Sequence, residues 1–330
     1  MSDVSVIVVA QNEARYISEC LNSIIKEFKS FGLTGEIVVI DGESSDETVS
    51  LARQVLTESG ITWRLLSNPR RTLASGWNLG ILNAECEFVV RPDAHAELKP
   101  GYILKGIEIL QKMPDVVAVG GSLETRTKFA RQRYFAYALS SKVGVGNSPF
   151  RTSSDSKYAD TAVYAVYRRK AIIDVGGLNE DLVRHQDNDL HERLRRAGWR
   201  FYQSGEMHAT YYCRDSLRKI AAQMFAIGKH LPSLWFGEGG TGVKVRHLAP
   251  VLFVLALILN FSLFFAGLDV FWMLVLPSAY VFALVVDAVI GSFRSRDWLR
   301  LRTVEVIPVM HLCYGFGTLV GLFRLLSVRT

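Results

Sequence analysis

The chain has 330 residues, 49% apolar and 21% charged, with a formal net charge of +6. That length holds one ordinary domain and something beyond it. Four cysteines, Cys20, Cys86, Cys213 and Cys313, lack C-x-x-C spacing, which excludes a disulfide framework or zinc site as the organising principle. Basic residues facing anionic headgroups account for the positive charge, so no nucleic-acid partner is expected.

The N-terminal MSDVSVIVVAQNE has neither a basic leader nor a small-residue cleavage pattern, so the first domain is expected to stay in the cytosol. Val4–Ala10 reads as a strand, and Ile17, Leu21, Ile24, Ile25 and Phe28 follow at helical spacing. A second strand, Glu36–Ile40, runs into DGESSDETVSLARQVL, where Ser44 and Glu47 have the spacing of a capping box. The helix it opens carries Val49, Ala52, Val55 and Leu56 on one side. Thr62–Leu66, Glu87–Arg91 and Val116–Gly120 continue the strands. Strands separated by helices predict an α/β fold, a mostly parallel sheet with helices on both faces and ligand sites at the strands' carboxyl ends.

Polar groups recur at those ends: Asn12 and Glu13 after the first strand, Asp41 after the second, and Asp93 with His95 after the fourth. Any one of them could be a turn or cap residue; their recurrence on one sheet edge points to a site. No G-x-G-x-x-G follows the first strand and no G-x-x-x-x-G-K-[ST] occurs, so a nucleotide bound here is held by other means.

Beyond residue 213 the character changes. Asp215–Phe236 repeats apolar residues at helical period with Arg218, Lys219, Lys229 and His230 on other faces, and reads as an interfacial amphipathic helix. Leu248–Leu268, Val270–Val286 and Val306–Phe323 then carry no Asp, Glu, Lys or Arg, each about the length a spanning helix needs. Lys244 and Arg246 precede the first, and Arg294, Arg296, Arg300 and Arg302 follow the second, which places that loop on the cytoplasmic side. The expected organisation is a catalytic domain at 1–213, an interface helix region at 214–240 and a membrane anchor of about three helices at 241–330.

VSVIVVAQNE, EIVVIDGESSDET, D-A-H and VGGLNEDLVRHQDNDLHERLRRAGWRF resemble, in that order, the motifs of family 2 glycosyltransferases, inverting enzymes with the nucleotide-sugar fold called GT-A. RTLASGWNLGI and RDSLRKIAAQMFAIGKH further resemble the ExoA type of succinoglycan-biosynthesis glycosyltransferases, which extend a sugar on a polyprenyl-diphosphate carrier. The resemblance implies a donor site at Ala10, Asn12, Glu13, Asp41, Arg71 and Asp93, with the Asp41 carboxylate accepting a hydrogen bond from the base. The family's D-x-D is D-A-H here, so Asp93 and His95 would hold a divalent ion, and manganese accepts imidazole more readily than magnesium. His208, in GEMHATYY, is a third candidate ligand. The family's catalytic carboxylate falls on Asp187 of H-Q-D, where Gln186 stands in place of the usual Glu; Asp189 is the nearest rival, and both acids also suit a helix N-terminus. Gln186 and Arg214 are the candidate acceptor-side contacts, Arg214 for the carrier's diphosphate.

Together these imply a metal-dependent inverting hexosyltransferase on the inner (cytoplasmic) membrane, its catalytic domain in the cytosol. It would move a sugar from a nucleotide sugar, uridine-linked by expectation, to a lipid-linked saccharide of a bacterial surface or exopolysaccharide. Other polysaccharide-assembly proteins are implied partners. A polyprenyl-phosphate glycosyltransferase and a non-catalytic nucleotide-sugar-binding scaffold are the alternatives.

Overall fold

The computed structural model describes residues 3–146, 150, 155–236, 245–267 and 269–329. The chain divides into two compact units, Met1–Glu124 with Pro149–Tyr212, and Thr125–Ser148 with Cys213–Thr330. The sequence reading did not foresee that residues 125–148 belong with the C-terminal unit. The expected boundary at 240/241, Lys244 and Leu268 lie outside the described residues.

The first unit is built on strands β1 (Asp3–Ala10), β2 (Thr34–Asp41), β3 (Thr62–Ser67), β4 (Phe88–Val90), β5 (Ala96–Leu98), β6 (Val116–Arg126), β7 (Lys157–Ala159), β8 (Val166–Arg168) and β9 (Arg200–Tyr212). They form one sheet in the order β3-β2-β1-β4-β8-β6-β9-β5, with β7 also on β9. The parallel arrangement expected from strand–helix alternation holds among β3, β2, β1 and β4. Beyond β4 the sheet turns antiparallel at β8, and β5 and β7 are antiparallel to β9, which makes it mixed. Strands β5, β7 and β8, of three residues each, gave no periodicity to read there.

Helix α1 (Ile17–Phe31) buries the predicted stripe of Ile17, Leu21, Ile24, Ile25 and Phe28. It stops at Gly32, whose left-handed φ of 62° lets its N–H return to the Phe28 carbonyl. Helix α2 (Thr48–Thr57) is not opened by the predicted capping box, because Glu47 makes no side-chain cap bond. Asp46 Oδ1 instead accepts from the Thr48 N–H at 3.0 Å, and Ser44 is used elsewhere. Helix α3 (Leu73–Asn83) packs Ala74, Trp77 and Ile81 into a core with Ile7, Val38, Ile40 and Val89. Their strand neighbours Val6, Val8, Ile37, Val39 and Val90 are equally buried and point to the opposite face, so the sheet is covered on both sides. Helices α4 (Tyr102–Lys112), α7 (Arg169–Asp174) and α8 (Gln186–Arg196) complete this unit's described helices of more than one turn.

In the second unit, short helices α5 (Arg133–Ser140) and α6 (Lys142–Val145) precede α9 (Leu217–Phe236), α10 (Val245–Phe265), α11 (Val270–Ser295) and α12 (Thr303–Arg329). Three stretches, His247–Phe265, Val270–Ser295 and Trp298–Ser327, are long and apolar enough to cross a membrane. Helix α9 does more than present an amphipathic face: its buried Ile220, Gly228 and Leu231 side is packed along α12. A Cβ on Gly228 would lie 2.1 Å from the Tyr314 carbonyl oxygen, so the two backbones approach as only glycine permits.

Candidate active site

The register sets one edge of the sheet. Ala10 pairs with Asp41 and Asp41 with Ser67, so β1, β2 and β3 end in a row. Strand β4 stops level with Val6, and the Arg91–His95 run beyond it reaches the same edge, because Glu13 Oε1 meets His95 Nδ1 at 3.0 Å.

The loops after β1 and β2 are joined side chain to backbone. The Asn12 N–H donates to Ser44 Oγ at 2.9 Å, and Asn12 Oδ1 accepts from the Ser45 N–H at 2.9 Å. The Glu13 N–H donates to Thr48 Oγ1 at 2.7 Å. Asp41 is buried at the end of β2; its Oδ2 accepts from the Ser44 N–H at 3.0 Å, while its buried Oδ1 has no hydrogen-bond partner among the described residues. Such an orphan acceptor is costly to keep and suits an incoming N–H donor. Arg71, after β3, pairs with Glu43 through Nε at 2.6 Å on the same edge, both largely exposed. Ala10 is buried, and its carbonyl accepts from the Gly42 N–H at 2.8 Å.

Asp93 and His95 come together as the D-A-H spacing predicts. His95 Nε2 lies 3.9 Å from Asp93 Oδ2, with both side chains partly exposed. Tyr164 donates its hydroxyl to Asp93 Oδ2 at 3.0 Å, and the His95 ring is set against Tyr16 and Tyr211. The Glu13 carboxylate on Nδ1 favours the tautomer with the proton there and the Nε2 lone pair toward Asp93. That oxygen and nitrogen donor set fits a manganese or magnesium ion. No group of three or more His, Cys, Asp or Glu able to hold a metal occurs among the described residues, so an ion there would draw further ligands from a bound phosphate and water.

His208 is not part of that set. It lies on β9 four residues before Tyr212, whose N–H bonds the His95 carbonyl, a separation of about 13 Å along a strand. Its Nδ1 meets Ser122 Oγ at 2.7 Å instead. A histidine in a long strand gives no sign in sequence of which ladder position faces the site.

On the other side of Asp93, Arg91 is buried and its Nη2 donates to Asp187 Oδ2 at 2.7 Å. Asp187 lies in the first turn of α8, after His185, whose left-handed φ of 66° turns the chain into the helix. Desolvation pushes the Asp187 carboxyl upward, but the Arg91 guanidinium, with His191 and His185 nearby, holds it below the usual carboxylate range. Asp189, the rival, is taken up by Arg193 at 2.7 and 3.0 Å, and Arg193 in turn caps the Val175 and Gly177 carbonyls. Gln186 is buried and donates to the Leu182 carbonyl at 2.7 Å, which closes its own loop. Arg214 is an exposed residue of the second unit.

Sequence reasoning missed Arg91, Trp77 and Tyr164. The ring of Trp77 lies 4.6 Å from the Arg91 guanidinium carbon. An arginine ending a run of buried strand residues was the available sign, since such a cation must find a partner. In the first unit the described non-glycine residues at positive φ are Asn12, Glu43, Arg71, Tyr164 and His185, all in loops of this edge. Strain concentrated this way is typical of a built site.

A mixed sheet whose parallel strand ends gather Asp41, Asp93 and a helix-borne carboxylate is the architecture of a GT-A glycosyltransferase. The mannosyltransferase PcManGT from Pyrobaculum calidifontis, solved with GDP-Man and Mn2+, has this fold, with a TM-score of 0.60 at 20% identity over 97% of this chain and 87% of that one. Residues 5–176 match glycosyl transferase family 2, and the chain belongs to that family. It is 24% identical over 98% of both chains to the dolichyl N-acetyl-alpha-D-glucosaminyl phosphate 3-beta-D-2,3-diacetamido-2,3-dideoxy-beta-D-glucuronosyltransferase of Methanococcus voltae. It is 29% identical to the succinoglycan biosynthesis protein ExoA of Rhizobium meliloti (strain 1021), over 68% of this chain and 67% of that one.

Proposed function

We propose that this glycosyltransferase transfers a hexosyl group, with inversion, from a nucleotide sugar to a lipid-linked saccharide in the assembly of a surface polysaccharide, at the cytoplasmic membrane. The observation that carries the reading is the Arg91–Asp187 contact, which joins a carboxylate 96 residues away in sequence to the strand end bearing Asp93. Acceptor and donor chemistry then meet at one place. Asp41 Oδ1 accepts an N–H of the base, uridine being the preferred nucleoside, and Arg71 lies on the same edge for the phosphates. Asp93 and His95 would hold a divalent ion, which when bound neutralises charge on the departing diphosphate. Asp187 takes the proton of the acceptor hydroxyl as its oxygen bonds to the anomeric carbon. The bond to the diphosphate breaks on the opposite side, and the nucleoside diphosphate leaves with the electron pair.

Three helices able to span a bilayer support an acceptor that arrives in the membrane, and the relative from Methanococcus voltae supports one that already carries a sugar. We assign 1–213 to catalysis, 214–240 to the interface and 241–330 to the anchor. The test is a panel of nucleotide sugars offered to the purified full-length protein with manganese, with and without membrane lipid extract. Nucleoside diphosphate release that requires the extract and one donor is the expected result. Equal transfer to bare polyprenyl phosphate would replace the acceptor class, and binding without turnover of any donor would favour a scaffold.

A further inference from the structure

Arg91 is the buried charge that the mechanism above leaves without a task. It directly follows β4, where the sheet is apolar on both faces, and the pair is asymmetric: the Arg91 side chain is 11% exposed and that of Asp187 is 44%. The cation lies inside and the anion reaches the surface. Arg91 Nη1 and the Trp77 indole N–H are both buried without a hydrogen-bond partner among the described residues. A core arranged for stability alone would replace such a cation with an apolar side chain of similar volume. The arginine is instead clamped, its guanidinium carbon over the Trp77 ring and its backbone two residues from Asp93.

We propose that Arg91 is the positioning residue for the acceptor-side carboxylate: by gripping Asp187 Oδ2 from beneath, it fixes that side chain's rotamer and leaves the other oxygen to meet the acceptor hydroxyl. The inference rests on Asp187 as the base. A single charge-assisted bond orients the group, and Trp77 orients the guanidinium in turn. The charged and titratable groups facing Asp187 are Arg91, His185, His191 and Tyr167, with Asp93 facing Arg91 from the strand end. Of these, Arg91 donates to the carboxylate at 2.7 Å.

The experiment is a double-mutant cycle on the full-length protein, Arg91→Met with Asp187→Asn, reading turnover of the nucleotide sugar, donor binding and the pH profile. Arg91→Met should lower turnover about 10²-fold, as expected when a reacting group is misplaced by an ångström. Nucleotide binding with manganese should change far less, and the acid limb of the rate profile should move to higher pH. Arg91→Lys keeps the charge, so it should retain the acid limb while recovering part of the rate. In the Asp187→Asn background, Arg91→Met should have almost no further effect. Equal losses in both backgrounds, or wild-type turnover in Arg91→Met, would overturn the inference and leave Asp187 as base. A harmless Asp187→Asn would overturn the base assignment and the inference together. Should Arg91→Met be too unstable to assay, the same cycle with Arg91→Lys, read as melting temperature from pH 7 to pH 3, decides: an acid decline that Arg91→Lys changes equally in the Asp187→Asn background and in the parent refutes the coupling.

Discussion

At the β1–β2 end of the site, Asn12 and Glu13 are tied to Ser44, Ser45 and Thr48 by bonds between two loops that the parallel register already holds side by side. At the β4–α8 end, the residue that follows a three-residue strand meets a residue in the first turn of a helix through a charged bond. The first arrangement is redundant, so removing one side chain leaves the loops in place. In the second, the carboxylate itself is held by the Arg91 pair. We therefore expect substitutions on the donor side to change affinity by modest factors and those on the acceptor side to change the rate by large ones.

Asp187→Asn should have the largest effect. The amide keeps the size and can still accept from Arg91, but it cannot take a proton, so turnover should fall roughly 10²–10⁴-fold with nucleotide affinity kept. Single-turnover kinetics beside calorimetric nucleotide binding separates the two quantities. A fall in affinity instead would dissolve the distinction between the halves.

Asp41→Ala should weaken nucleotide binding by about 1.5–3 kcal/mol, the worth of a hydrogen bond to a charged group, with or without metal. Calorimetry in EDTA and in manganese checks it, and an unchanged affinity removes Asp41 from the site. Glu13→Gln tests whether the carboxylate on His95 Nδ1 acts through the histidine. Loss of such a partner costs about 10–100-fold in metal affinity, so manganese binding in the presence of nucleoside diphosphate should weaken by that factor while metal-free nucleotide binding stays the same.

The smallest effect is on stability. Because the Asp187 carboxyl is held below the usual range in the folded chain, its contribution is fully present above the unfolded value, about pH 3.9, and is lost as pH falls through the lower folded value. Melting curves taken from pH 7 to pH 3 should show a shallower acid decline in Asp187→Asn than in the parent. Identical declines would mean the Arg91 pair contributes nothing to folding, as half-exposed pairs often do.

The amino-acid order alone determined the features that repeat at short range. The stripe of α1, the apolar runs of β1 and β2, the polar residues that end them and the three apolar stretches of the C-terminal half all follow from periodicity and uninterrupted hydropathy. The D-A-H spacing likewise kept Asp93 and His95 together, within one tight turn that the Ala96 N–H closes onto the Asp93 carbonyl at 2.9 Å. Only the tertiary structure decided what crosses long distances. It turned the sheet antiparallel beyond β4, carried His208 away from His95 along β9 and closed Gln186 onto its own loop. It also gave Asp189 to Arg193 and Asp187 to Arg91, though the two acids begin the same helix and look alike in sequence. Helix period turns residues two apart to different sides, and which side met the strand end depended on how α8 packs through Leu190 and Leu194 into the core shared with Trp77 and Tyr167.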